Sequence, residues 1–247
     1  HGRPEAISAG VCTFKDLKGA IDTVIESIQV GLPLSRIELL DEVQIKAINQ
    51  YKKVSHEIGP TLFVEIQGMP LSVKEQSEIF RDIAEANNIL KFQWSDRSEE
   101  IEVLWSARHD AYYAALALAP GKKAFTTDIC VPISNLTDCI IETKKDIEQS
   151  NIIAPIVGHV GDGNFHLIML LDPENKKEVS EAKHLNDKLV NRALKMEGTS
   201  TGEHGIGIGK KEFLKTEQGL SVEIMSQIKK AIDPKNIMNP GKIFDIN

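Results

Sequence analysis

Two histidines on either side of a glycine turn are the residues best suited to chemistry in this sequence. The segment Gly158-His159-Val160-Gly161-Asp162-Gly163-Asn164-Phe165-His166 reads as a hairpin, because Asp-Gly favours the two-residue turn whose central residues both need positive φ. A turn at Asp162-Gly163 sets Gly161 against Asn164, Val160 against Phe165 and His159 against His166. Directly opposed residues share a face, with Cβ atoms about 4.5–5.5 Å apart. Both imidazoles then project to one side with room for an ion between them, and Val160 and Phe165 point to the other. A pair of ordinary strand histidines satisfied by hydrogen bonds is the plain alternative. The spacing matches neither a zinc finger nor HExxH, and imidazole suits zinc, manganese, iron or cobalt alike.

A second cluster lies some forty residues on, in Gly198-Thr199-Ser200-Thr201-Gly202-Glu203-His204-Gly205-Ile206-Gly207-Ile208-Gly209-Lys210-Lys211. Glu203 offers a hard oxygen ligand, and beside it His204 brings an imidazole, the side chain that exchanges protons near neutrality. The glycines let backbone and substrate approach closely. The phosphate-loop pattern GxxxxGK with a following Ser or Thr is not met: Gly205 to Gly209 is one residue short, and Lys211 stands where the hydroxyl belongs. GxGxxG fails on spacing as well. A flexible loop without chemistry is the competing reading. Arg108, within Leu104-Trp105-Ser106-Ala107-Arg108-His109-Asp110, has a guanidinium fork that suits a carboxylate, although the residues alone favour a solvated helix face. His1, His56, His109 and His184 carry no partner signal.

The elements that must position these residues alternate. Ser8 to Phe14 reads as a strand, Asp16 caps a helix to about Val30, and Arg36 to Leu40 is a strand. A helix from Glu42 to Lys53, a strand from Thr61 to Ile66, a helix from Ser72 to Asn88 and a strand from Ile89 to Trp94 follow. Beyond them the patterns predict one long helix over Arg97–Leu118, a strand over Ala124–Val131, a helix to Gln149, strands over Ile152–His159 and Phe165–Leu171, a helix over Glu174–Met196, and a last helix over Ser221–Ile232. The expected fold is α+β: a mostly antiparallel sheet with helices mainly on one face, in ferredoxin-like halves. Residues 1–247 are expected to form one domain made of two fused halves, about 1–95 and 96–247.

Composition narrows the classes. With 247 residues, 41% of them hydrophobic, the chain can fill a core. Apolar runs fall short of the ~18–20 residues that a membrane span needs, so no transmembrane segment is expected. A formal charge of −7 without a Lys/Arg-rich stretch argues against nucleic acid as a partner. Three cysteines, Cys12, Cys130 and Cys139, suit reduced thiols better than a disulfide scaffold. The start, His1-Gly2-Arg3-Pro4, lacks Met and a targeting pattern, and reads as a piece of something longer. Localisation is expected to be cytoplasmic for a bacterial source and mitochondrial for a eukaryotic one.

Taken together, Gly158-His159 through His166, Gly202-Glu203-His204-Gly205-Ile206-Gly207 and the ending Asp233-Pro234-Lys235-Asn236-Ile237-Met238-Asn239-Pro240-Gly241-Lys242 resemble the C-terminal domain of FAD-linked oxidases, flavoproteins of the vanillyl-alcohol-oxidase type. Pro60-Thr61-Leu62-Phe63, Trp105-Ser106-Ala107-Arg108-His109 and Thr127-Asp128-Ile129-Cys130-Val131-Pro132 extend the similarity over nearly the whole chain. Within the family it looks closest to the D-lactate dehydrogenase (cytochrome) branch, beside glycolate oxidase subunits and D-2-hydroxyglutarate dehydrogenases. The resemblance implies that His159, His166 and Glu203 hold a divalent metal, zinc or manganese, and that His204 is the catalytic base. It implies that Arg108 grips the substrate carboxylate and that Asn239 lies against the flavin ring. FAD is then held mainly by a separate N-terminal domain, and this chain is the substrate and metal half, inactive by itself.

The implied reaction is oxidation of a small D-2-hydroxy acid, D-lactate foremost, to the 2-keto acid, with electrons passing to an acceptor such as cytochrome or quinone. The chain departs from the hydroxyglutarate branch at Thr126, where that branch carries lysine, and at Ile168, where it carries asparagine. Both positions help bind a second carboxylate there, so a monocarboxylate fits better here. A non-catalytic metal or hydroxy-acid binding module, or an assembly module of a flavoprotein, is the alternative from another class. A metal-dependent hydrolase using Glu203 as base is a third reading.

Overall fold

Local capping sets the helix starts much as the residue types predict. In the computed structural model, which describes residue 2 and residues 4–245, strand β1 (Ala6–Phe14) leads into helix α1 (Leu17–Gln29), whose Gly19 N–H is accepted by Asp16 Oδ1 at 2.8 Å. Strand β2 (Leu34–Leu40) precedes α2 (Glu42–Lys52), and Asp41 caps it by accepting the Gln44 N–H at 2.9 Å. Next come β3 (Thr61–Gly68), α3 (Pro70–Ala86) with proline in its first turn, and β4 (Ile89–Ser95). His1 lies outside the described residues.

The second half departs from the sequence reading in four places. The helix expected over Arg97–Leu118 is two, α4 (Ser98–His109) and α5 (Ala111–Ala117). Asp110 separates them, with its carboxylate drawn to Lys52 Nζ at 2.5 Å. The strand expected over Ala124–Val131 is broken into β5 (Lys123–Thr126) and β6 (Ile129–Cys130). Here the Thr127 hydroxyl accepts the Leu167 N–H at 2.9 Å in place of a ladder carbonyl, which frees Asp128 to turn away. After α6 (Leu136–Glu148), the strand expected over Ile152–His159 shrinks to β7 (Ile156–Gly158) with a lone bridge at Ile153, since Pro155 has no N–H to give a ladder. Strand β8 (Asn164–Leu171) and helices α7 (Lys176–Lys195), α8 (Lys211–Gln218) and α9 (Ser221–Ile232) complete the order. Helix α8 has no counterpart in the sequence reading.

The strands form one sheet in the order β4-β1-β3-β2-β7-β8-β5, with β6 also on β8, and every pairing is antiparallel. The β4-β1-β3-β2 part has the strand order of a ferredoxin-like sheet. The longer helices α1, α3, α6 and α7 pack on one face with Phe14, Phe80, Phe165 and Leu189. On the other face the shorter α2, α4 and α5 cover Leu40, Phe63, Ile168 and Leu170. Cover on both faces explains why all of β8 is buried and why its sequence from Leu167 to Leu171 reads as an unbroken apolar run. His166 alternates with Phe165 and Leu167, and so belongs to the α2/α4/α5 face. Cys12 and Cys139 are free and buried in the core, where burial pushes the Cys139 thiol up to about 12. Among the described residues no helix is long and apolar enough to cross a membrane.

Candidate metal and substrate site

The two histidines meet, although not by the pairing that the turn chemistry predicts. Val157, not His159, lies opposite His166, and Ile156 lies opposite Leu167. The bend is longer than two residues: Val160–Asp162 form a short 3-10 turn, and both Asp162 and Asn164 donate their N–H to the His159 carbonyl, at 3.0 and 3.3 Å. Gly163 at φ 77° takes the left-handed conformation by itself, so Asp162 needs no positive φ. A Cβ at Gly163 would lie 2.1 Å from the Val131 carbonyl oxygen, which ties this turn closely to β6. His159 therefore stands at the entry to the bend, and its ring meets that of His166 edge-on, with centroids 5.8 Å apart. Val160 and Phe165 point into the opposite core as expected.

Each imidazole is fixed by its Nδ1. His166, 5% exposed, donates from Nδ1 to the Thr127 carbonyl oxygen at 2.9 Å; a carbonyl only accepts, so the proton sits on Nδ1. His159 donates from Nδ1 to Glu38 Oε1 at 2.7 Å. Both Nε2 lone pairs are thereby turned toward Glu203, whose Oε1 lies 3.2 Å from that of His166 and 3.6 Å from that of His159. His204 stacks on His166 with centroids 5.1 Å apart and planes 17° from parallel, and its Nε2 is 3.4 Å from Glu203 Oε1. The hydrogen bond to Glu38 holds His159 above the usual imidazole range, whereas burial pushes His166 below it.

Asp128 holds the glycine-rich loop, a role that the sequence reading did not assign. Its Oδ1 accepts from Asn164 Nδ2 at 2.9 Å and the Glu203 N–H at 3.2 Å. Its Oδ2 accepts from the Thr201 hydroxyl at 2.8 Å, the His204 N–H at 3.0 Å and Lys210 Nζ at 3.1 Å. Burial alone would raise this carboxyl, but the His204, Asn164, Thr201 and Lys210 donors outweigh it and hold it well below the usual carboxylate range. Asp128, His166 and His204 also have ligand atoms within 4.8 Å of one another. With both oxygens saturated by donors, however, Asp128 is a structural anchor there and a poor metal ligand. Lys210, which suggested a phosphate loop, is the clasp of that anchor. The signal in the sequence was a lone acid inside an apolar strand pattern.

The loop can approach this anchor because residue 202 is glycine. A Cβ there would lie 1.8 Å from Asn164 Nδ2, and that amide cannot yield, being held by Asp128 and by the Ile129 carbonyl. Gly202→Ala is expected to destabilise the chain by about 1–3 kcal/mol, as overpacking does, and to lower the urea midpoint. An unchanged midpoint would show that the loop has room to shift.

Arg108, in the last turn of α4, is not on a solvated face. Its Nε and Nη2 donate to Glu38 Oε2 at 3.1 and 3.0 Å, which brings it to His159 through a shared carboxylate. Arg36 lies 4.3 Å over the Trp105 ring and seats α4 against the sheet. Asn239 is exposed at φ 47° and is not among the side chains that meet at Glu203. Its segment does reach the glycine loop, where the Ile243 N–H donates to the Gly207 carbonyl at 2.7 Å. A cleft of about 400 Å³ reaches Glu38 and His159. A larger cavity, about 1150 Å³, lies against Arg36 and Trp105 and contains none of the site's metal-facing groups.

The family described as FAD linked oxidases, C-terminal domain, matches residues 3–243. A Danio rerio protein named "Probable D-lactate dehydrogenase, mitochondrial" is 46% identical over 247 residues, covering 100% of this chain and 50% of that protein. The Arabidopsis thaliana protein named D-lactate dehydrogenase (cytochrome), mitochondrial, is 41% identical over 242 residues, 98% of this chain and 43% of that one. The chain thus spans about half the length of these curated relatives. Among solved structures, 4-ethylphenol oxidase from Gulosibacter chungangensis superposes with a TM-score of 0.74 at 15% identity, over 99% of this chain and 55% of that one. A p-cresol methylhydroxylase superposes with a TM-score of 0.67 at 13% identity, over 98% and 53%. At such identities the two structures show the shared fold alone.

Proposed function

The chain belongs to the family of FAD linked oxidase C-terminal domains, and from that premise we propose that it is the substrate- and metal-binding part of an FAD-dependent D-2-hydroxyacid dehydrogenase that oxidises D-lactate to its 2-keto acid. The metal part rests on one observation. Nε2 of His159, Nε2 of His166 and Oε1 of Glu203 converge within 4.8 Å, although both Nδ1 atoms already carry the ring protons. Three electron-rich atoms repel one another at that range unless a cation or a shared proton lies among them. These residues suit a divalent ion, zinc or manganese, which when bound supplies Lewis acidity to a coordinated hydroxyl.

FAD, held mainly by a part of the protein other than residues 1–247, supplies the redox chemistry. This chain supplies placement and proton transfer. Arg108 neutralises and orients the substrate carboxylate, His204 accepts the hydroxyl proton, and Asn239 lies against the flavin. Thr126 and Ile168, where the hydroxyglutarate branch binds a second carboxylate, are directly paired across β5 and β8. Ile168 is buried two residues from His166 on the same face, so this corner lacks a charge to receive a dicarboxylate. The names of the plant and yeast relatives support a cytochrome as electron acceptor, with a quinone as the alternative. The names of the eukaryotic relatives also support a mitochondrial site for a eukaryotic source, and for a bacterial source the proposed site is cytoplasmic.

Titration with Zn²⁺ or Mn²⁺ tests this reading. The chain is expected to bind one ion, and an ion at 100 times its Kd should add about 2.7 kcal/mol of stability, read as a raised Tm. His159→Ala, His166→Ala and Glu203→Ala are each expected to remove that gain, as is a chelator. D-lactate should raise Tm further in the metal-loaded chain and not in the stripped one. A wild-type chain that ignores both ions overturns the metal site; metal binding without any D-lactate response favours a module without substrate.

A further inference from the structure

Glu38 divides one carboxylate between two functional groups of the site. Its Oε1 accepts from His159 Nδ1 at 2.7 Å, and its Oε2 accepts from Arg108 Nε and Nη2 at 3.1 and 3.0 Å. The sheet dictates this placement. Strand β2 pairs Leu40 with Val157 and Leu39 with Gly158, and one more step of the same register puts Glu38 across from His159. Side chains alternate along a strand, so Glu38 points to the α2/α4/α5 face, where Arg108 arrives from α4. Both partners are largely shielded, with side chains 11% exposed for Glu38 and 18% for Arg108, so solvent screens this pair far less than a surface one.

We propose that Glu38 is a positioning residue that fixes the ligand nitrogen of His159 and the gripping edge of Arg108 together. The inference rests on the metal-site reading above and deepens it. An ionised carboxylate only accepts hydrogen bonds, so it holds the His159 proton on Nδ1 and leaves Nε2 as the lone-pair face toward Glu203. A guanidinium has five N–H donors. Glu38 takes the side-on pair, Nε and one Nη2 hydrogen, and leaves the end-on edge of Nη1 and Nη2 for a substrate carboxylate. A single side chain thereby sets the distance between the metal-facing nitrogen and the carboxylate grip, and one 2-hydroxy acid must span both.

The test uses Zn²⁺ as the probe on the chain with Glu38→Gln, His159→Ala, or Glu38→Gln combined with Arg108→Met. Affinity comes from competition with a chelator, and the His159 tautomer from its ring ¹⁵N shifts. Glu38→Gln is expected to weaken Zn²⁺ binding about 10–100-fold, as loss of a partner behind a ligating histidine does, and to move proton occupancy from Nδ1 toward Nε2. The double variant should stay equally weak. It also removes the guanidinium left unpaired, and serves for the measurement should the single variant fold poorly. A Glu38→Gln chain with wild-type affinity and an unchanged His159 tautomer overturns the proposal, as does a double variant that recovers wild-type affinity. His159→Ala separates the two levels: if it also leaves Zn²⁺ binding intact, the metal site itself is wrong, and if it weakens binding while Glu38→Gln does not, only the role of Glu38 falls.

Discussion

Replacing His204 by alanine in the flavin-loaded, full-length enzyme is expected to lower turnover of D-lactate by a factor on the order of 10²–10⁴, the usual contribution of a positioned general base. The geometry suits the role. The His204 side chain is half-exposed and so open to a substrate, and the His166 ring stacked at 5.1 Å limits where its own ring can swing. Its backbone N–H is anchored on Asp128 at 3.0 Å, which fixes the main chain independently of the imidazole. The substitution therefore removes a proton acceptor without opening a cavity, and stability should move by no more than about 0.5 kcal/mol. Loss should fall on kcat with KM little changed, because a base acts in the transition state more than in substrate binding. A fall of less than tenfold, with the Tm unchanged, would assign the proton to another group.

How far the site can be read from the sequence depends on the distance over which each signal acts. The β-α alternation of the first 95 residues is written locally, in the Asp16 and Asp41 caps and in apolar periodicity, and the structure follows it element by element. The histidine bend is legible as a bend. Its register is not, because a 3-10 turn through Val160–Asp162 uses the same glycine with one positive φ where the tighter turn needs two. His159, His166, Glu203 and His204 announce themselves by type and spacing, and the structure gathers them. Glu38 and Asp128 do not. Each is a single acid in a strand-like run, a pattern that an exposed edge explains as well, and each finds its partners far along the chain: 121 residues separate Glu38 from His159 and 76 separate Asp128 from His204. Arg108 was ambiguous for the same reason, since the carboxylate that draws it inward lies 70 residues earlier.

Asp128→Asn is expected to destabilise the chain by about 3 kcal/mol, the lower end of what breaking a buried charge pair costs, and to weaken Zn²⁺ binding by more than tenfold. The low end is appropriate because Lys210 keeps 19% of its side chain in solvent and can rehydrate when its partner loses charge. Asparagine nearly preserves the shape, so the effect isolates the carboxylate. Five donors converge on two acceptor oxygens here, and the amide would replace one acceptor by an NH₂ group that faces either Asn164 Nδ2 and the Glu203 N–H, or the Thr201 hydroxyl and the His204 N–H. Those groups, part-buried where they meet Asp128, would lose an acceptor at up to about 1–3 kcal/mol each if the loop stayed in place. The loop should instead lift away, taking Glu203 from His166 and His204 from its stack. Lys210→Met removes one donor and leaves the other four, so it should cost only about 1 kcal/mol and keep the metal site. Urea unfolding together with Zn²⁺ titration of the two variants reads both effects. A small penalty for Asp128→Asn, equal to that of Lys210→Met, would mean that the loop is held by the main chains of Thr199 and Cys130, which exchange N–H···O bonds at 2.8 and 3.3 Å, and by the Ile243–Gly207 bond, with the acid serving merely as a partner for the lysine.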